Sequence, residues 1–411
     1  MKINKHCFPN GLRLVHYEDT STQMVALNIV YDVGARDEHP EHTGFAHLFE
    51  HLMFGGSAHI PDYDTPLQLA GGENNAWTNN DITNYYLTVP KPNVETAFWL
   101  ESDRMLELAF SEQSLEVQRG VVMEEFKQRC LNQPYGDVGH LFRPLAFRVH
   151  PYRWPTIGKE LSHIEQATLD EVKSFFYRFY APNNAVLAVT GNISWDETVK
   201  LTEKWFAPIP RRDVPVRQLP QDPEQTQERR LTVERNVPLD ALFMGYHMCS
   251  REGADYYAFD ILSDILSNGR SSRLNRRLVQ EQNIFSGIDA YISGTRDAGL
   301  LQISGKPAAG VSLEQAEAAV RKELEELQRS PVDGQELEKV KNKFESTQIF
   351  GNINYLNVAT NLAWFELTGK AEDIDLEVER YRSVTTEQLH TVAQRTFCES
   401  NAVVLYYKSD K

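Results

Sequence analysis

Hydrophobic and polar positions change period along this chain in a pattern that occurs twice. Residues 12–18 and 25–33 read as strands, and the stretch after them takes the spacing of an amphipathic helix. Residues 230–237 and 241–247 do the same before a helical run at 256–266. The ends repeat as well. With the segment from Thr168 laid over that from Thr385 without gaps, Arg178 meets Arg395, Tyr180 meets Phe397, and Asn184-Ala185-Val186 recurs as Asn401-Ala402-Val403. Thr168 and Thr385 both suit helix N-caps. The pattern predicts an α+β fold of two similar domains, each a mostly antiparallel sheet packed with helices. Residues 209–229 carry four prolines and little periodicity, the composition of an exposed linker. The expected division is 1–212, a linker at 213–228, and 229–411.

Composition narrows the function classes. A chain of 411 residues, 41% hydrophobic and 24% charged, can bury two ordinary cores and is neither disordered nor fibrous. Its 58 acidic and 42 basic side chains give a net charge of -16, which opposes binding to nucleic acid or anionic lipid. No apolar run approaches a membrane span. Cys7, Cys130, Cys249 and Cys398 form no ligand spacing and read as buried free thiols. The first residues pass directly into strand-like sequence, so a cytoplasmic location is expected, or a periplasmic one if a leader was trimmed.

The chemistry concentrates in the first half. In the segment Thr43-Gly-Phe-Ala-His-Leu-Phe-Glu-His, helical periodicity puts His47, Glu50 and His51 on one face. Histidines at i and i+4 can hold one metal ion, and a glutamate between them is placed to take a proton from water. A catalytic zinc needs a third protein ligand. The helical run 116–129 offers adjacent glutamates, Glu124 and Glu125, which point about 100° apart, so only one can face the metal.

The inverted order HxxEH followed by a glutamate in the pattern QRxVVxEE resembles the M16 peptidase family, which includes pitrilysin, insulin-degrading enzyme and the mitochondrial processing peptidase. The resemblance implies a zinc endopeptidase with one zinc per chain held by His47, His51 and Glu125, with Glu50 as general base. It also implies an acidic residue beside the ligand histidines at the position of Gln118, where an amide could still accept a hydrogen bond, or Glu116 could assist. The stretch from Gly71 to Tyr86 resembles the family's edge strand, which pairs with an extended peptide. Asn75, Ala76, Trp77 and Thr78 are then the expected substrate contacts. The runs 99–105 and 150–158 also match, and structural roles are expected there, His150 included.

The second half departs from the pattern. Residues 269–274 resemble the family's entry to a helix whose arginine and tyrosine hold substrate, but this chain has Val279 and Ser286 at those positions, or Leu278 and Phe285 in the shifted register. Loss of one such donor costs about 3–4 kcal/mol of transition-state stabilisation. The resemblance therefore implies a homologous partner chain carrying the Arg/Tyr pair, with a homodimer as the competing arrangement. Two rivals remain at this point: a non-proteolytic structural subunit, and a zinc hydrolase acting on something other than peptides.

Overall fold

The computed structural model describes residues 1–410, which fall into two compact units. In the first, six strands are hydrogen-bonded in the order β1-β2-β6-β3-β5-β4: β1 (Asn4–Cys7), β2 (Arg13–Glu18), β3 (Met24–Tyr31), β4 (Glu73–Thr78), β5 (Thr83–Pro90) and β6 (Ala185–Gly191). In the second, five strands follow the order β7-β11-β8-β10-β9: β7 (Arg229–Arg235), β8 (Ala241–Met248), β9 (Phe285–Ile292), β10 (Gly299–Pro307) and β11 (Ala402–Ser409). Apart from β1 the two orders are the same. The single parallel pairing recurs too, as β2 with β6 and β7 with β11. The expected α+β class and the doubled plan both hold.

The helices used below are α1 (Phe45–Leu52), α2 (Glu112–Phe126), α3 (Val138–Ala146), α4 (Leu169–Phe179), α5 (Tyr256–Ser267), α6 (Leu313–Arg329), α7 (Tyr355–Thr368) and α8 (Thr386–Thr396). The repeat persists at atomic detail. Thr168 and Thr385 cap α4 and α8 by accepting the amides of Glu171 and Gln388. Beyond each helix an asparagine ties the chain down. Asn184 Nδ2 donates to the carbonyls of Phe179 and Asp32, and Asn401 Nδ2 to those of Thr396 and His247. In each case one bond closes the helix end and the other reaches the neighbouring strand, so β6 and β11 enter their sheets at the same place.

The expected division at the linker is not the one the fold adopts. Residues 130–153 belong to the second unit, and 349–376 belong to the first. The reason is that each sheet has two apolar faces, and the second is covered by a helix from the other half of the sequence. Val15, Ala26, Val30, Val186 and Ala188 pack against Val358, Ala359, Leu362 and Ala363 of α7. In the second unit, Val403, Leu405 and Tyr407 pack against Phe142 and Ala146 of α3. Gly245 on β8 permits that seat, since a Cβ there would lie 2.8 Å from the Phe142 ring. The linker is also pinned. Arg212 donates to the carbonyls of Tyr180 and Leu106, both at 2.6 Å, and Arg217 pairs with Asp37 at 2.6 Å. On its far side, Asp222 accepts the amides of Val149 and His150. Of the four free cysteines only Cys130 is buried, which corrects the expectation for the others. Among the described residues, no helix is long and apolar enough to cross a membrane.

The second unit is locked by a charge cluster on the buried side of α6. Glu317 accepts from Arg230 at 2.7 and 2.8 Å, from Arg321 at 2.7 Å and from the Tyr406 hydroxyl at 2.5 Å. Burial pushes its carboxyl up, but these donors outweigh burial and hold it at about 2. A depressed carboxylate stabilises the fold above its unfolded value of 4.5, and that contribution is lost as pH falls toward 2. Glu317→Gln should therefore destabilise the chain by about 3 kcal/mol at neutral pH. In urea unfolding, the gap between variant and wild type should narrow as pH falls through that window. A gap that stays constant there would contradict the assignment.

Candidate metal centre

All the residues of the site belong to the first unit. Helix α1 has only eight residues, too few to be stable alone, so its position depends on tertiary support. Its inner face (Phe45, Ala46, Leu48, Phe49 and Leu52) is buried in the core. The buried Tyr85 hydroxyl on β5 donates to the Phe49 carbonyl at 3.2 Å. The N-terminal end is held by a side chain the sequence reading missed. Buried Glu38 accepts the Gly44 amide on one carboxylate oxygen and the Ala46 amide on the other, each at 2.9 Å. Burial pushes the Glu38 carboxyl up to about 8, against the pull of the two amides. Gly44 is left-handed at φ 88°, and a Cβ there would lie 2.9 Å from the Ile157 carbonyl. No other residue type fits both constraints.

Helix α1 packs against α2 and against β4. The first contact brings three donor atoms together. Glu125 Oε2 lies 3.5 Å from His47 Nε2 and 3.3 Å from His51 Nε2, and the two imidazoles stand edge to face at 89°. Among the described residues, this is the one group of His, Cys, Asp and Glu side chains with three such atoms within 4.8 Å of one another. Glu124 points away to an exposed pair with Lys127, which resolves the choice between the adjacent glutamates. Burial pushes His47 down to about 4, although Glu125 opposes the shift, so its imidazole is neutral near pH 7 and keeps a lone pair. The Glu125 carboxyl is lowered, chiefly by His51.

A zinc ion fits this donor set. Bonds of about 2.0–2.2 Å to a tetrahedral centre give donor–donor edges of roughly 3.3–3.6 Å. The observed spacings of 3.3 and 3.5 Å fall in that range. Two imidazole nitrogens and one carboxylate oxygen are also a ligand set that catalytic zinc uses, and they leave a fourth position for water or substrate. Glu50, on the turn of α1 between the histidines, is half-buried. Burial pushes its carboxyl up, while the Thr78 side chain and His51 pull it down.

Asn75, Ala76, Trp77 and Thr78 all lie on β4, which pairs with β5 on one side and forms the edge of the sheet on the other. The Ala76 amide donates to its neighbour's side-chain oxygen, Asn75 Oδ1, at 2.8 Å. Gln118 does not take the expected place beside the ligand histidines. It lies against Gly55, and the buried His47 Nδ1 has no hydrogen-bond partner. Glu116 does not replace it, being paired with Arg119. The side chain that does reach the ligand set is Arg129, whose Nη2 forms an ion pair with Glu125 Oε1 at 2.8 Å. Its signal in the sequence was an i, i+4 Glu–Arg spacing. His150 lies in the second unit, where its Nδ1 accepts the Tyr152 amide. Of the positions expected for the Arg/Tyr pair, Leu278 and Phe285 are buried in the core, Val279 packs against that core, and the Ser286 hydroxyl donates to the Lys306 carbonyl.

Fold and site together define a peptidase-like α+β protein of two repeated units. The chain belongs to the M16 peptidase family. Residues 13–137 match the model for insulinase (peptidase family M16), and residues 166–344 match that for the M16 inactive domain. It is 26% identical over 405 residues to the zinc protease PqqE of Helicobacter pylori, spanning 97% of this chain and 91% of that one. The crystal structure of a protease from Helicobacter pylori superposes with a TM-score of 0.94 at 26% identity, covering 99% of both chains. The periplasmic protease PqqL from Escherichia coli shares the fold at 18% identity, with a TM-score of 0.81, and this chain covers 99% of itself but 47% of PqqL.

The Glu38 clamp can be tested by itself. Glu38→Ala leaves two buried helix amides without an acceptor and should cost about 2 kcal/mol in urea unfolding. Glu38→Gln, which keeps one acceptor oxygen, should cost less. A Glu38→Ala protein as stable as wild type would show that the clamp does not hold α1.

Proposed function

We propose that this chain is a zinc-dependent endopeptidase, with one zinc held by His47, His51 and Glu125 and with Glu50 as general base. The observation that carries the reading is the convergence of two imidazole nitrogens on one carboxylate oxygen at 3.3 and 3.5 Å, all three within 4.8 Å of one another, with a further carboxylate on the helix of the histidines. When bound, the ion supplies Lewis acidity, which acidifies water and polarises a peptide carbonyl. Glu50 accepts a proton from water on its carboxylate and passes it to the nitrogen of the leaving amine. An extended peptide adds to the open edge of β4, where backbone pairing gives affinity and Asn75, Ala76, Trp77 and Thr78 flank the scissile bond. The relatives' description as zinc proteases supports this substrate class.

In this reading the site is completed by a second M16-like chain that carries the Arg/Tyr pair. Val279 and Ser286 at the expected positions support that arrangement. So does the length of PqqL, a single chain of which this one matches about half. A homodimer is the competing arrangement. One second reading has an observation in its favour: with no Arg/Tyr pair, the chain could serve as a non-proteolytic structural subunit. The intact set of His47, Glu50, His51 and Glu125 argues against it.

The test is hydrolysis of a quenched fluorescent peptide library by the purified chain, alone and mixed with M16-like chains that carry the Arg/Tyr pair, with zinc content measured in parallel. The expected result is turnover by a mixture, lowered about 10²–10⁴-fold by Glu50→Gln while bound zinc is unchanged. Full turnover by the chain as a monomer would remove the two-chain arrangement. Stoichiometric zinc without turnover in any mixture would favour the structural subunit.

A further inference from the structure

The two oxygens of Glu125 do different jobs. Oε2 faces His47 and His51, while Oε1 forms an ion pair with Arg129 Nη2 at 2.8 Å. The histidines are oriented by a helix whose inner face is buried, with His47 itself buried. Glu125 has no such support. It is half-buried on the surface of α2, with three rotatable bonds between backbone and carboxylate, and a ligand of that kind needs an external partner to keep one oxygen aimed at the metal.

Three observations single out Arg129. Immediately after Phe126 the α-helix passes into a π-helical turn, Lys127–Leu131, a rare geometry concentrated at functional sites, and Arg129 sits on it. Its side chain is 67% exposed, so the ion pair with Glu125 contributes little to folding stability, and stability is a poor account of it. The position expected to orient the ligand histidines, Gln118, makes no such contact, which leaves the carboxylate as the ligand that is oriented from outside. The same turn contains its own control. Lys127 forms an equally local pair with Glu124, a carboxylate that faces away from the histidines.

We infer that Arg129 is a positioning residue for the metal: its guanidinium holds the Glu125 carboxylate so that a single oxygen is presented to zinc. The inference rests on the zinc reading above. A second effect opposes it, because a cation near a dication weakens binding. Exposure and salt screen that longer-range repulsion more than they weaken the direct 2.8 Å ion pair to Oε1. The two effects have opposite signs, so zinc affinity decides between them.

The experiment is a competition of the full-length, metal-free chain against a chromophoric chelator for zinc ion alone, with thermal unfolding of each metal-free protein as a check on folding. Arg129→Ala should weaken zinc binding about 10–100-fold with no change in the metal-free unfolding temperature. Arg129→Lys should fall between, since an ammonium keeps the charge without the planar fork. Lys127→Ala, which removes the same charge from the same turn, should bind as wild type does. Zinc binding by Arg129→Ala that equals or exceeds wild type would overturn the inference, as would an equal loss in Lys127→Ala. If wild type itself fails to bind zinc, the reading beneath fails instead, and the two failures are thereby distinguished.

Discussion

Two imidazole nitrogens converge on one carboxylate oxygen, which lies 3.5 Å from His47 and 3.3 Å from His51. The side chains that bring these atoms together come from two helices, so their placement depends on what holds those helices. Much of the first unit can be understood as that support. The Tyr85 hydroxyl fixes the middle of α1 to the sheet, Glu38 fixes its first turn, and the glycine at 44 lets that turn pass close to the Ile157 carbonyl. Helix α2 brings the third donor on a 15-residue element, and β4 also packs against α1. The candidate metal centre rests on an eight-residue helix held at its middle and its N-terminal end.

The repeat carries the fold without carrying the chemistry. The helix that follows the first strand pair of the second unit, α5, contains no histidine, and its apolar side chains are buried in that unit's core. The same strand order, the same capped helix and the same asparagine tie recur around it. Fold and site are therefore separable: the sheet and its helices set where a helix can present donor atoms, and among the described residues only one of the two copies places candidate ligands there.

Much of this was legible in the sequence because it is local. Alternation gave β2, β3, β7 and β8, the Thr168 and Thr385 caps marked their helices, and the spacing of His47, Glu50 and His51 placed all three on one helical turn. What escaped has physical reasons. Periodicity left Glu124 and Glu125 open, since the choice depends on the rotation of α2 against α1, and it was the family resemblance that named Glu125. Glu38 read as one of many acidic side chains until burial made it a helix clamp. Gln118 and Arg129 exchanged importance because an orienting contact depends on side-chain reach. The division into domains failed because an apolar helix at 355–368 shows that it will be buried but not against which sheet.

That exchange of helices bears on how the chain is made. The sheet that carries the metal helix is complete in its strands once residue 191 has been synthesised, yet one of its apolar faces has no cover until residues 355–368 emerge much later. At synthesis rates of about 5–20 residues per second this leaves an open hydrophobic sheet on the ribosome for roughly ten seconds or more. A nascent chain of this kind is a natural client for holding chaperones. It also means that a fragment ending at the linker is an unfinished domain, since residues 349–376 of the first unit lie beyond it.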